Sequence, residues 1–82
     1  MAEKNEDSFL DCRGMLCPMP VVRVSQQMAL LGAGQVLKVL TTDRGSIADM
    51  PAWAEDTGNE VVHWQDEGRR LVFYLRKGGG EG

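Results

Sequence analysis

The residues best suited to chemistry are Leu16-Cys17-Pro18-Met19-Pro20, where a thiol stands directly before two prolines that suit a helix start. First-turn N–H groups have no intrahelical acceptor, and a ring-locked φ of about −65° already fits a helix. Proline also pushes the residue before it toward extended geometry, so Cys17 falls at the N-cap or just outside it. Met19 precedes a proline as well, which leaves Pro20 as a second starting point. In either register the sulfur lies within about one turn of the helix N-terminus, where the dipole favours thiolate over thiol. Pro18 and Pro20 carry no N–H, so Met19 N–H is the expected donor toward the sulfur. Free cysteine is among the most buried residue types, but a position between a glycine loop and a proline-opened helix points to a reactive thiol.

Cys12, five residues earlier, reads as a packed residue at the end of a strand. A spacing of Cys-x4-Cys lacks the redox force of Cys-x-x-Cys, and two cysteines with the distant His63 make no zinc site. No metal or cofactor is expected, because the chain has no phosphate loop, metal cluster or recognisable acid/base pair. Asp11 and Asp43 suit loop positions near the reactive end. Asp43 and Arg44 are candidates to flank the sulfur and meet a partner. Arg13 reads as a solvated loop residue or a cation near the sulfur.

The elements that position these residues follow from the apolar pattern. Phe9 and Leu10 begin a short strand that Arg13-Gly14 ends. Val21, Val24, Met28 and Leu31 recur at helical spacing, and Gly32 and Gly34 stop that helix. Val36 to Thr41 is rich in apolar and β-branched residues and forms a second strand, parallel to the first across a right-handed crossover. Ser46 and Asp49 resemble a capping box before Ile47, Met50, Trp53 and Ala54, while Pro51 moves the regular helix toward Asp49. Glu60–Gln65 and Arg70–Arg76 alternate around Asp66-Glu67-Gly68-Arg69, a hairpin signature. Trp53 and Trp64 are the expected core anchors.

The order βαβαββ predicts an α+β two-layer sandwich, with two helices on one face of a four-stranded mixed sheet. Residues 9–77 form the single domain. Residues 1–8 are expected to be a disordered polar leader and 78–82 a flexible glycine-rich tail.

The chain has 82 residues, of which 43% are hydrophobic and 26% charged, which is globular composition near the lower size limit for one core. Its acidic opening lacks the basic start and apolar run of a secretory signal, so the chain is expected in the cytoplasm with its thiols reduced. A net charge of −3 with scattered basic residues argues against direct nucleic-acid binding.

Leu10-Asp11-Cys12-Arg13-Gly14-Met15-Leu16-Cys17-Pro18-Met19-Pro20, Gly34 before a strand, Thr42-Asp43 and Asp49-Met50-Pro51-Ala52-Trp53 together resemble the TusA-like (SirA-like) sulfur carriers. The resemblance runs from about Phe9 to Lys77. It implies the same βαβαββ fold, and a carrier that takes sulfane sulfur as a persulfide on Cys17 and passes it on. Its implied donors are cysteine desulfurases or rhodanese-type proteins. The implied acceptors are proteins with a reactive cysteine, serving tRNA thiolation, molybdenum-cofactor metabolism or dissimilatory sulfur oxidation. Many members have proline where this chain has Arg44, a surface difference that bears on partner choice. The persulfide is then transient cargo, and the protein a carrier with transferase character, expected to work as a monomer without a membrane. Two other readings compete: a thiol-disulfide switch using Cys12 with Cys17, and a non-catalytic regulatory or RNA-binding module on a fold that hosts unrelated tasks.

Overall fold

The computed structural model describes residues 6–78. Its elements run β1 (Ser8–Cys12), α1 (Met19–Met28), β2 (Val36–Thr41), α2 (Ser46–Thr57), β3 (Glu60–Asp66) and β4 (Leu71–Arg76). The βαβαββ order and the two-layer arrangement are those the apolar pattern predicts. β1 and β2 pair in parallel, β2 and β4 antiparallel, and β3 closes the far edge against β4, giving a mixed sheet of order β1-β2-β4-β3.

Alternation within each strand sends one set of side chains toward the helices. Leu10 and Cys12 of β1, Leu37 and Val39 of β2, and Leu71, Phe73 and Leu75 of β4 meet Val24 and Met28 of α1 and Met50, Trp53 and Ala54 of α2. Trp53 is buried and its indole Nε1–H donates to Ser25 Oγ at 2.8 Å, tying the two helices together. The indole N–H, which would otherwise lose its water partner, is thereby satisfied.

Several local expectations are corrected by partners that lie far away in sequence. β1 starts at Ser8, inside the expected leader, because Asp7 N–H donates to the Val36 carbonyl at 2.7 Å and Val36 N–H to Asp7 Oδ2 at 2.9 Å. Residues 1–5 of that leader lie outside the described residues. Gly78, expected in the tail, donates its N–H to Asn59 Oδ1 at 2.8 Å, and a Cβ there would collide with the Gly58 carbonyl. Residues 79–82 lie outside the described set.

α1 stops at Met28 rather than at Gly32. Lys77 Nζ reaches back to the carbonyls of Met28 and Leu31 at 3.1 and 2.8 Å, placing a cation where the helix dipole is negative. In α2, Ser46 is the first helical residue, not the cap, and no side-chain capping bond forms. Gly45 takes the cap position, and the helix continues through Pro51, whose missing N–H leaves the Ile47 carbonyl without its usual helical donor. Gly58 closes α2 at φ 75°, a left-handed conformation that favours glycine.

A register shift between Val61 and His63 leaves Val62 unpaired in β3. Trp64 consequently pairs with Phe73, stacking on it at 5.9 Å, yet stays 40% exposed at the sheet edge and is no core anchor. The burial difference sets a test. Phe73→Ala should lower unfolding free energy by about 3–5 kcal/mol in urea denaturation, and Trp64→Ala by only about 1 kcal/mol. Equal losses would contradict this division between core and rim.

Candidate functional site

The site sits where the β1–α1 loop meets the β2–α2 loop. Gly14 turns the first loop at φ 86°, and its N–H donates to Thr42 Oγ1 at 2.8 Å, so the two loops are tied at their bases. Met15 N–H returns to the Cys12 carbonyl at 3.2 Å, and Met19 N–H to the Leu16 carbonyl at 2.8 Å. Within the second of these turns Cys17 stands exposed, one residue outside the Pro18 cap of α1. Pro20, buried in the first turn, anchors the start of the helix against the core. The Cys17–Pro18 peptide bond is cis.

Two carboxylates from the second loop and helix hold Cys17. Its backbone N–H donates to Asp43 Oδ2 at 2.8 Å, and its thiol donates to Asp49 Oδ2 at 3.1 Å. Asp43 also accepts from Gly45 N–H through Oδ1 at 3.1 Å, so one carboxylate bridges the cysteine loop and the start of α2. Asp49 lies in the first turn of α2, and instead of reaching back to cap that helix it points to the sulfur.

This geometry corrects the expectation of a resting thiolate. The Met19 N–H that should have faced the sulfur is taken by Leu16, and the sulfur's partner is an acceptor. The hydrogen bond to Asp49 holds the Cys17 pKa above its ordinary value; desolvation and the charges of Asp49 and Asp43 push in the same direction. A helix end contributes about half a positive charge, whereas Asp49 brings a full negative charge at hydrogen-bond range of the sulfur and Asp43 adds a second close by, so the carboxylates prevail. The thiol is therefore protonated near neutral pH, exposed and oriented.

The other residues singled out from the sequence divide clearly. Cys12 is buried among core side chains, and burial pushes its pKa up. Arg13 forms a two-bond pair with Asp11, both contacts at 2.9 Å, which depresses the Asp11 carboxyl to about 2. Arg44, expected beside the sulfur, has its guanidinium engaged with Asp66 of β3 at 3.1 and 2.6 Å; this contact brings Asp66 to about 2. Both exposed pairs order loops more than they stabilise the fold. Leu16 and Met19, 75% and 45% exposed, put apolar surface on either side of Cys17. His63 lies half-buried in β3 against Tyr74, in a ring contact of 6.0 Å. Asp49 was missed as a site residue: it stood out only as half of a weak capping pattern and as the first residue of the Asp49-Met50-Pro51-Ala52-Trp53 run, neither of which points to the sulfur, and its true partner is 32 positions away.

Fold and site together define a small protein that presents one exposed cysteine where two loops meet. The family model described as sulfurtransferase TusA matches residues 8–77, and the chain belongs to that family of sulfur carriers. It is 42% identical over 72 residues to the putative sulfur carrier protein YrkI of Bacillus subtilis, covering 88% of this chain and 96% of the relative. It is 39% identical over 71 residues to the sulfur carrier protein TusA of Allochromatium vinosum, covering 87% and 93%. It is 49% identical over 70 residues to the putative sulfur carrier protein YrkF of Bacillus subtilis, covering 85% of this chain but only 38% of that relative. A crystal structure of a SirA-like protein from Desulfitobacterium hafniense superposes with a TM-score of 0.76 at 27% identity, covering 87% of this chain and 97% of that one. Membership implies interaction with proteins that donate and accept sulfur. No helix among the described residues is long and apolar enough to cross a membrane.

The role of Asp43 in holding the two loops can be read independently of any sulfur chemistry. Asp43→Ala leaves the Cys17 and Gly45 N–H groups without their acceptor and should cost about 1–2 kcal/mol. Hydrogen exchange at the Cys17 amide should accelerate by at least about tenfold. An unchanged exchange rate would mean that this carboxylate does not hold the loop.

Proposed function

We propose that the protein accepts sulfane sulfur as a persulfide on Cys17 and delivers it to a cysteine of an acceptor protein in the cytoplasm. The observation that carries this reading is an exposed thiol held by two carboxylates in a family of sulfur carriers.

In the loading step the Cys17 thiol gives its proton to Asp49 Oδ2, and the thiolate attacks the outer sulfur of a donor persulfide. The Sγ–S bond forms as the donor's S–S bond breaks, and the donor cysteine leaves as a thiolate. No electrons are gained or lost overall, so the transfer needs no cofactor. In the delivery step an acceptor thiolate attacks the outer sulfur, the Sγ–S bond breaks, and Cys17 leaves as a thiolate that takes up a proton from solvent. The raised Cys17 pKa suits a carrier that waits as a neutral thiol and ionises when a partner covers the site. Exposed Leu16 and Met19 offer apolar contact for such a transient partner.

Cys12 bears on the competing redox switch. A disulfide brings the two Cβ atoms to about 3.8 Å, and the buried Cys12 sulfur would have to leave the core to meet an exposed loop. Its burial favours single-site chemistry at Cys17.

Intact-mass spectrometry after incubation with a cysteine desulfurase or rhodanese and its sulfur source tests this. Wild type and Cys12→Ser should each gain the mass of one sulfur atom that a reductant removes, and Cys17→Ser should gain none. Normal loading of Cys17→Ser, or a two-hydrogen loss requiring both cysteines in place of sulfur gain, would refute the assignment.

A further inference from the structure

Beside Thr42, residues from the ends of β1 and β2 and from the β3–β4 turn line an open cleft of about 500 Å³: Arg13, Thr42, Glu67, Arg69 and Arg70. Three arginines line this one depression in a chain of net charge −3, and their hydrogen-bonding capacity is only partly used. Arg13 engages Asp11 through Nε and Nη2, leaving Nη1. Arg70 engages Glu67 through Nε alone, at 2.7 Å, leaving both Nη groups. The Arg69 side chain makes no ion pair or hydrogen bond with the described residues. Thr42 Oγ1 accepts from Gly14 N–H, so its own O–H remains to donate. The cleft therefore presents donors from four side chains, with three positive charges against the carboxylates of Glu67 and Asp11.

We propose that this cleft is a docking site for an acidic segment of a protein partner, taking two neighbouring Asp or Glu side chains. Guanidinium groups bind carboxylates through two parallel N–H bonds, which gives orientation as well as attraction. The size of the cleft suits a pair of such side chains. An extended polyanion is less well matched, since nucleic-acid sites need a basic face that tracks many phosphates and the remaining surface here is acidic on balance.

The position of the cleft gives the contact its use. Thr42 lines it and also holds Gly14 of the cysteine loop, while the next residue, Asp43, holds the Cys17 N–H. A segment bound there lies against the base of the loop that carries Cys17. It would steer the partner at long range and set its register at the sulfur. The inference rests on the carrier reading for its purpose, but binding itself can be measured without sulfur.

The test is a ¹⁵N NMR titration of the reduced full chain with a hexaglutamate peptide blocked at both ends, with inorganic phosphate and hexauridylate as separate titrants. Hexaglutamate should shift the amides of Arg13, Gly14, Thr42, Gly68, Arg69 and Arg70 above all others, with binding weakened by salt. R69E/R70E should reduce its affinity by about tenfold or more, whereas Arg23→Glu on α1 should leave it unchanged. Absence of localised shifts in the wild type, or equal weakening by Arg23→Glu, would overturn the proposal. So would tighter binding of hexauridylate or phosphate at the same residues. Because the titrants carry no sulfur, a failure here leaves the persulfide reading standing. A wild type that binds the peptide but never gains sulfur mass would instead sink that reading alone.

Discussion

The site depends on two carboxylates of one short segment closing on a cysteine from another. Asp43 takes the Cys17 N–H and Asp49 takes the Cys17 thiol, at 2.8 and 3.1 Å. Both are delivered by the turn from β2 into α2, and that turn is fixed because β2 is a central strand, parallel to β1 and antiparallel to β4. The parallel pair brings the C-terminal ends of β1 and β2 side by side, so the loops that leave them meet. The crossover through α1 then packs the helix on the sheet, with Pro20 and Val24 buried and Cys17 at the solvent-facing end. Sequence, topology and site are linked through this one junction.

Electrostatics decides what the junction can do. A helix N-terminus alone would stabilise a thiolate, but two nearby carboxylates outweigh about half a unit of dipole charge. The resulting neutral thiol is less exposed to adventitious alkylation and oxidation, since the thiolate is the reactive form. In the proposed cycle, reaction then waits on a partner that covers the site and brings its own positive charge, so that the proton can pass to Asp49. A carrier has reason for that restraint: it must be reactive with selected proteins and quiet between them. The arginine cleft beyond Thr42 adds a charged contact to the apolar rim of Leu16 and Met19.

Much of the fold could be read along the chain because the informative patterns were local. Helical spacing from Val21 to Met28, the β-branched run of β2 and the Asp66–Arg69 turn each depend on neighbours within a few residues. The misreadings came from distant partners. α1 ends early where Lys77, just past the last strand, bonds its final carbonyls, and the break in β3 at Val62 follows its pairing with β4. Ser46 looked like a cap and is the first helical residue; Asp49 looked like the other half of the same motif and serves the sulfur instead. The position of Cys17 before α1 was legible from its prolines. The sign of its pKa shift was not, because no local pattern indicates a carboxylate 32 residues on. Arg44 misled for a similar reason, since its partner Asp66 belongs to the hairpin.

The most direct test is a pH titration of Cys17 in the reduced protein, followed by ¹³Cβ chemical shift in wild type and Asp49→Asn. A raised pKa means that the thiol stays neutral through neutral pH and ionises only above the ordinary range, where a free cysteine has a value of about 8.5. The account predicts a wild-type midpoint above that value and a lower one in Asp49→Asn, because the substitution removes the negative charge and weakens the acceptor. A wild-type midpoint below the ordinary value, unmoved by Asp49→Asn, would show that the helix end governs the sulfur and that the carboxylate clamp does not.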